Sequence, residues 1–282
     1  MKLSAPVHQL RSQAKQLKKQ RQIPLFQAQN QIAQEQGFSS WSLMMARQEE
    51  LLPENSTELL DYLNAGDLVL LGARPRLGKT LFTANLIADC IKMGRPRSFY
   101  FTLVDREQEA RQRIINHFED VGLDSGAPLV DSLLIDDLLI DGLLIDSSDD
   151  ICASHVQHVL EKHNAQGALV VIDYLQVLDE KRAQPPLHEQ VAVLNAFAKS
   201  SGCRIILIGQ LDRRVDDRAG ESPMLADIRL PNPLDMQLFN KVMFLYRKTM
   251  DGSRTTVSLV RPVIHEFVME LDLAAKRFRE SA

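Results

Sequence analysis

A chain of 282 residues with 45% apolar content is long enough to bury a full core, and at roughly 150 residues per domain it holds one large domain plus something small. Its three cysteines, Cys90, Cys152 and Cys203, stand far apart with no Cys-x-x-Cys or Cys/His pairing, which excludes a disulfide framework and a zinc site as organising features. No apolar run approaches the roughly 20 residues that cross a bilayer, and the amino terminus lacks the apolar stretch of a signal peptide. The expectation is a soluble, cytoplasmic protein with no membrane partner. The net charge of -4 argues against wholesale nucleic-acid binding but leaves room for local basic patches.

In chain order, the positive residues Lys2, Arg11, Lys15, Lys18, Lys19 and Arg21 come before any Asp or Glu, the first being Glu35. Residues 9–22 carry no breaker and read as a helix ended by Pro24; residues 26–36 read as a second, stopped at Gly37. Phe38, Trp41, Leu43 and Met44 give this part an apolar patch, so residues 1–50 form a small basic helical unit. Its charged face is either solvated or an arm that contacts phosphates or docks on a partner. Residues 51–66, with Pro53 near their start, read as a linker with a short helix.

The stretch 67–80, Asp-Leu-Val-Leu-Leu-Gly-Ala-Arg-Pro-Arg-Leu-Gly-Lys-Thr, is an apolar strand turning through a loop into a helix, the context of a phosphate cradle. Gly78 lets backbone N–H groups close on phosphate oxygens, Lys79 reaches the β- and γ-phosphates, and the Thr80 hydroxyl ligates Mg²⁺. The helix beginning near Lys79 points its positive end at the same anion. The candidate nucleotide-binding residues are Ala73, Arg74, Pro75, Arg76, Leu77, Gly78, Lys79, Thr80 and Leu81, with Ala73 where the pattern asks for Gly.

Residues 81–93 then read as a helix closing at Gly94, 98–103 as a buried aromatic strand and 105–119 as a charged helix. Asp-x-Leu-Leu-Ile occurs three times in succession from Asp131, Asp136 and Asp141. Residues 131–145 are taken as a repeat insertion, with the copy ending at Asp146 as the core strand and the earlier copies bulging out. The seven carboxylates of residues 131–150 read as solvated rather than metal-binding.

Residues 151–163 are helical, and 168–172 form an apolar strand ending in Asp173, a carboxylate placed to support Mg²⁺. A loop over 179–186 and a helix over 188–200 lead to a strand, 203–209, that delivers Gln210 to the same edge. Continuously apolar strands alternating with helices specify α/β architecture: a mainly parallel sheet covered on both faces. Residues 211–233 form a polar loop containing Arg213, Arg214, Arg218 and Arg229. Strands at 242–246 and 255–259 flank an Asp251-Gly252 turn, a further strand is expected over 266–271, and 273–282 read as a polar tail.

Four of these stretches carry a resemblance: Gly-Ala-Arg-Pro-Arg-Leu-Gly-Lys-Thr at the cradle, Val-Ile-Asp-Tyr-Leu-Gln-Val-Leu from Val171, Gly-Gln-Leu-Asp-Arg from Gly209, and Phe-Leu-Tyr-Arg ending at Arg247. Together they resemble the RecA-like ATPase domain of DnaB-type replicative helicases, a family that tolerates Ala at the cradle's first position. The resemblance covers about 66–271, with the RecA-like domain placed at 67–272, and does not extend to the amino-terminal unit. It implies ATP and Mg²⁺ as cofactors, single-stranded DNA as partner, a homo-oligomeric ring, and a role as a replication or mobile-element protein. Carried over by position, Lys79 and Thr80 bind phosphates and metal, Asp173 supports the metal, Gln210 senses the γ-phosphate, and Arg214, Arg218 and Arg229 belong to loops facing DNA.

Two departures bear on catalysis. Where the family reads Ser-Leu-Glu-Met, with the Glu as base for the attacking water, this chain reads Thr102-Leu103-Val104-Asp105. Adjacent residues of a strand face opposite ways, so Asp105 replaces the Glu only if the strand has already ended; otherwise it caps the next helix. Where the family carries its arginine finger in Lys-x-Arg-Asn-Gly, only Arg261, followed by Pro262, is near. Two function classes therefore stay open: an ATP-hydrolysing DNA helicase or translocase, and a nucleotide-binding, weakly or non-hydrolysing adaptor or regulator. A different RecA-like phosphotransferase is a third. The expectation common to the first two is that Lys79 and Asp173 meet across one triphosphate, from adjacent strands of one sheet.

Overall fold

A computed structural model describes residues 7–49, 52–118, 142–175, 178, 185–218, 222–228, 234–247 and 252–280. The chain divides into two compact units, Met1–Leu52 and Pro53–Ala282.

Among its described residues the first unit holds three helices: α1 (Val7–Arg21), α2 (Leu25–Glu35) and α3 (Trp41–Glu49). Leu10, Ala14 and Leu17 recur at helical spacing along α1 and meet Ala28, Ile32, Ala33 and Met44 in a small core. Gly37, at φ +83°, turns the chain after α2, and Asn30 Oδ1 accepts the Trp41 N–H at 2.8 Å to start α3. Lys15, Lys18, Lys19 and Arg21 are exposed along α1.

Among the described residues of the second unit, nine strands form one sheet in the order β3-β2-β4-β5-β1-β6-β7-β8-β9. Its strands are β1 (Leu68–Ala73), β2 (Ser98–Thr102), β3 (Leu143–Asp146), β4 (Leu169–Asp173), β5 (Arg204–Gln210), β6 (Lys241–Tyr246), β7 (Arg254–Arg261), β8 (His265–Asp272) and β9 (Arg277–Glu280). The pairs from β3 through β6 are parallel, and β7, β8 and β9 add antiparallel ribbons beyond β6. Alternation splits β1 between two cores. Val69, Leu71 and Ala73 join the core under α4 (Ser56–Tyr62), α5 (Lys79–Lys92) and α6 (Glu107–Ile115). Leu68 and Leu70 join the core under α7 (Ala153–Lys162) and α8 (Leu187–Ser201). With both faces covered, β1, β2 and β4 are buried at every position, as parallel strands require.

Several details depart from the sequence expectation. The short helix expected within residues 51–66 is present as α4, capped by Asn55, whose side chain accepts the Glu58 N–H, but this segment also places Leu59, Leu60 and Leu63 in the main core. Residues 273–282 are not simply a polar tail: β9 pairs with β8, and Phe278 is buried edge-on against Phe82, with ring centroids 5.6 Å apart. One aromatic among charged residues is too little pattern to mark a strand. Of the repeat, residues 131–141 lie outside the described residues; the final Leu-Leu-Ile-Asp forms β3, at the sheet edge rather than its centre. Gly72 answers to packing, since a Cβ there would stand 2.7 Å from the buried Phe244 ring.

Candidate functional site

The carboxyl ends of β1, β4 and β5 and the turn after β2 converge on one edge of the sheet, the place where open α/β folds bind ligands. After Ala73 the chain makes a tight loop, with the Leu77 N–H donating to Arg74 O at 3.3 Å, and enters α5 at Lys79. Gly78 has φ +88°, a conformation that L side chains rarely adopt, and a Cβ there would also stand 3.1 Å from the Phe278 ring. Arg76 sits at φ +66° without being glycine, a strain of about 1–2 kcal/mol held by the loop. Lys79 Nζ folds back over this loop and donates to Ala73 O at 3.3 Å and Arg74 O at 3.2 Å. Burial pulls the Lys79 pKa below its ordinary value and the nearby Arg74 adds to that, while the Asp173 carboxylate opposes it.

Thr80 Oγ1 donates to Asp173 Oδ2 at 2.9 Å, joining the first turn of α5 to the end of β4. The Tyr100 hydroxyl donates to the same carboxylate oxygen at 3.1 Å. Asp173 is almost fully buried, and desolvation pushes its pKa up; the Thr80 and Tyr100 hydrogen bonds and the Lys79 charge pull the other way. A hydroxyl and a carboxylate oxygen at this separation are hard donors that one small cation can share, so the pair fits Mg²⁺, with Lys79 beside it for phosphate. Lys79 and Asp173 do meet at one edge, but not from adjacent strands. β5 lies between β4 and β1, and puts Gln210 opposite Ala73 in the gap. The crossover from β1 to β2 leaves two strand positions between them, which β4 and β5 fill, and spacing along the chain does not encode that order.

Asp105 meets its geometric condition. β2 ends at Thr102, whose Oγ1 accepts the Val104 N–H at 3.0 Å and the Asp105 N–H at 3.4 Å, a side-chain turn that breaks the strand alternation. Val104 is consequently 52% exposed and Asp105 only 6%. The Asp105 carboxylate is not open, however. Arg113 Nη2 donates to Oδ1 at 2.9 Å, and Arg113 Nε lies 2.8 Å from Oδ2, within ion-pair range though off the hydrogen-bond line.

The remaining candidates separate. Arg261 closes β7 opposite Val242, toward the amino-terminal ends of the parallel strands, and its guanidinium donates to Met236 O at 2.6 Å and Phe239 O at 3.3 Å. It does not reach this chain's own cradle. Arg214 is exposed and pairs loosely with Asp212, Arg218 is bound to Asp227, and Arg229 lies outside the described residues. Sequence reasoning missed Tyr100 and Arg113. A tyrosine in a strand of phenylalanines signals a polar tip needing a partner, whereas nothing in the sequence marked Arg113, eight positions from Asp105.

A sequence profile described as DnaB-like helicase C terminal domain matches residues 56–277, most of the second unit and most of the chain. The chain belongs to the DnaB-like helicase C-terminal domain family. Similar proteins include the "Replicative DNA helicase DnaB" of Helicobacter pylori strain J99, 26% identical over 215 residues, 70% of this chain and 44% of that relative. The protein of the same description from Mycoplasma genitalium is 28% identical over 212 residues, 66% of this chain and 43% of the relative. The chain thus spans less than half the length of these curated relatives. Among solved structures, one described as an ATPase domain superposes with a TM-score of 0.65 at 18% identity, covering 86% of this chain and 98% of that one. A DnaB-like replicative helicase, described with its interactions with primase, gives 0.66 at 18% identity, covering 98% and 76%. Both establish the RecA-like DnaB fold. Among the described residues no helix is long and apolar enough to cross a membrane.

Proposed function

We propose that the second unit binds Mg·ATP at the Lys79–Thr80–Asp173 edge and hydrolyses it to ADP and phosphate, acting on single-stranded DNA as a DnaB-like helicase or translocase. The observation that carries this reading is the Thr80–Asp173 hydrogen bond of 2.9 Å, which joins the two halves of a magnesium–triphosphate site beside Lys79. The pairing of Gln210, at the end of the intervening strand, with Ala73 at the head of the cradle supports its assignment to the γ-phosphate, and Arg214 and Arg218 follow it along the chain as the candidate DNA contacts. Assembly of several copies is part of this reading, because Arg261 can serve only a neighbour's nucleotide.

A second reading has its own support. With Asp105 held by Arg113 and Arg261 engaged by main-chain carbonyls, this chain is also suited to bind nucleotide while turning it over slowly, as an adaptor or regulator. ATPase assays with and without single-stranded DNA, on wild type and Lys79→Ala, divide the two. The motor reading expects DNA-stimulated turnover on the order of 1–100 per second that Lys79→Ala abolishes. ATP binding lost in Lys79→Ala, but turnover indistinguishable between the two proteins, would leave the regulator. No ATP binding by wild type would remove both.

A further inference from the structure

We propose that Arg113 is a latch on Asp105, which holds the base of this ATPase in reserve. The inference rests on the nucleotide-site reading above. Three observations converge on it. The Thr102 side-chain turn exchanges the places of the residues after β2, so the buried, inward position belongs to Asp105 and the solvent position to Val104. Asp105 lies at the catalytic edge, near enough for its charge to act on both Asp173 and Tyr100. And both of its oxygens face the guanidinium, Oδ1 at 2.9 Å from Nη2 and Oδ2 at 2.8 Å from Nε. A base must present a lone pair to a water within hydrogen-bond reach. Each Asp105 oxygen is instead turned to a permanent cation.

The pair is unequal in a way that suits a latch. The Asp105 side chain is 4% exposed and held beside the Thr102 turn, while that of Arg113 is 34% exposed. Arg113 can therefore withdraw without opening the core. Once released, Asp105 takes a proton from water as the water oxygen bonds to the γ-phosphorus. The bond from that phosphorus to the β–γ bridging oxygen breaks, its electron pair leaves with ADP, and the proton passes on to the released phosphate. Arg113 touches none of these atoms and is a positioning residue.

The test uses the full chain and measures Mg·ATP affinity and single-turnover hydrolysis separately. Arg113→Gln, which removes the charge, is expected to raise the hydrolysis rate about tenfold or more with affinity changed by less than about threefold; general-base catalysis is worth roughly 10²–10⁴ in rate. Adding Asp105→Asn is expected to erase the gain, and Arg113→Lys, which keeps the charge but not the fork, to fall between wild type and Arg113→Gln. Arg113→Gln that binds Mg·ATP normally but hydrolyses it no faster would overturn the latch and leave the pair a structural cap of α6. Should Arg113→Gln not fold, Arg113→Lys decides alone: a rate at or below wild type counts against the proposal. Absence of Mg·ATP binding by wild type is a separate result, which removes the nucleotide site itself.

Discussion

Individual side chains at the carboxyl edge of the sheet and beside it are set by close competition between burial and partners. Asp173 and Lys79 are both pushed toward neutrality by desolvation and held by each other's charge, so each depends on the other being present. His117 shows the same physics without a carboxylate to help. Burial, then the charges of Lys92 and Arg277, lower its pKa from 6.5 to about 4, against a hydrogen bond to the Leu81 backbone. The folded state therefore binds fewer protons than the unfolded chain between those values. The associated stability is fully present above pH 6.5 and is lost as pH falls through about 4, a change of at most about 3 kcal/mol at 1.36 kcal/mol per unit. Urea unfolding at pH 7 and pH 4.5 measures it. His117→Phe is expected to lose less stability on acidification than wild type, and equal losses would assign the acid sensitivity to other groups.

Among the elements, those legible in the sequence were the ones whose pattern is local. The apolar runs that became β1, β4 and β5, and the glycine and lysine that open α5, announced both strand and site. β9 did not, because its contribution is one residue at long range: Phe278 packs on Phe82 of α5 and lies against the Cα of Gly78. The helix that carries Lys79 and Thr80 is therefore braced by the last strand. Phe278→Ala is expected to cost about 3–5 kcal/mol in stability and to weaken ATP binding as the start of α5 loosens, as read by thermal unfolding and calorimetric titration. Unchanged ATP affinity in a folded variant would show that the brace serves stability alone. The Thr102 turn was likewise hidden, since whether a strand ends at a threonine depends on which N–H groups its hydroxyl finds.

For the whole molecule, fold and family followed from the order of motifs along the chain, and the comparisons agree on a DnaB-like ATPase domain. Strand order did not follow. Spacing along the sequence cannot say that β5 separates β1 from β4, nor that Arg261 ends at the far edge with its guanidinium spent on Met236 and Phe239 carbonyls. The central claim is that Thr80 and Asp173, 2.9 Å apart, hold the magnesium of a bound nucleotide beside Lys79. Calorimetric titration of ATP with magnesium and with chelator, into wild type, Thr80→Val and Asp173→Asn, tests it most directly. Wild type is expected to bind at least about tenfold more tightly with magnesium, a difference of about 1.4 kcal/mol, and either substitution to erase that margin. Equal affinity with and without magnesium in wild type would contradict the account.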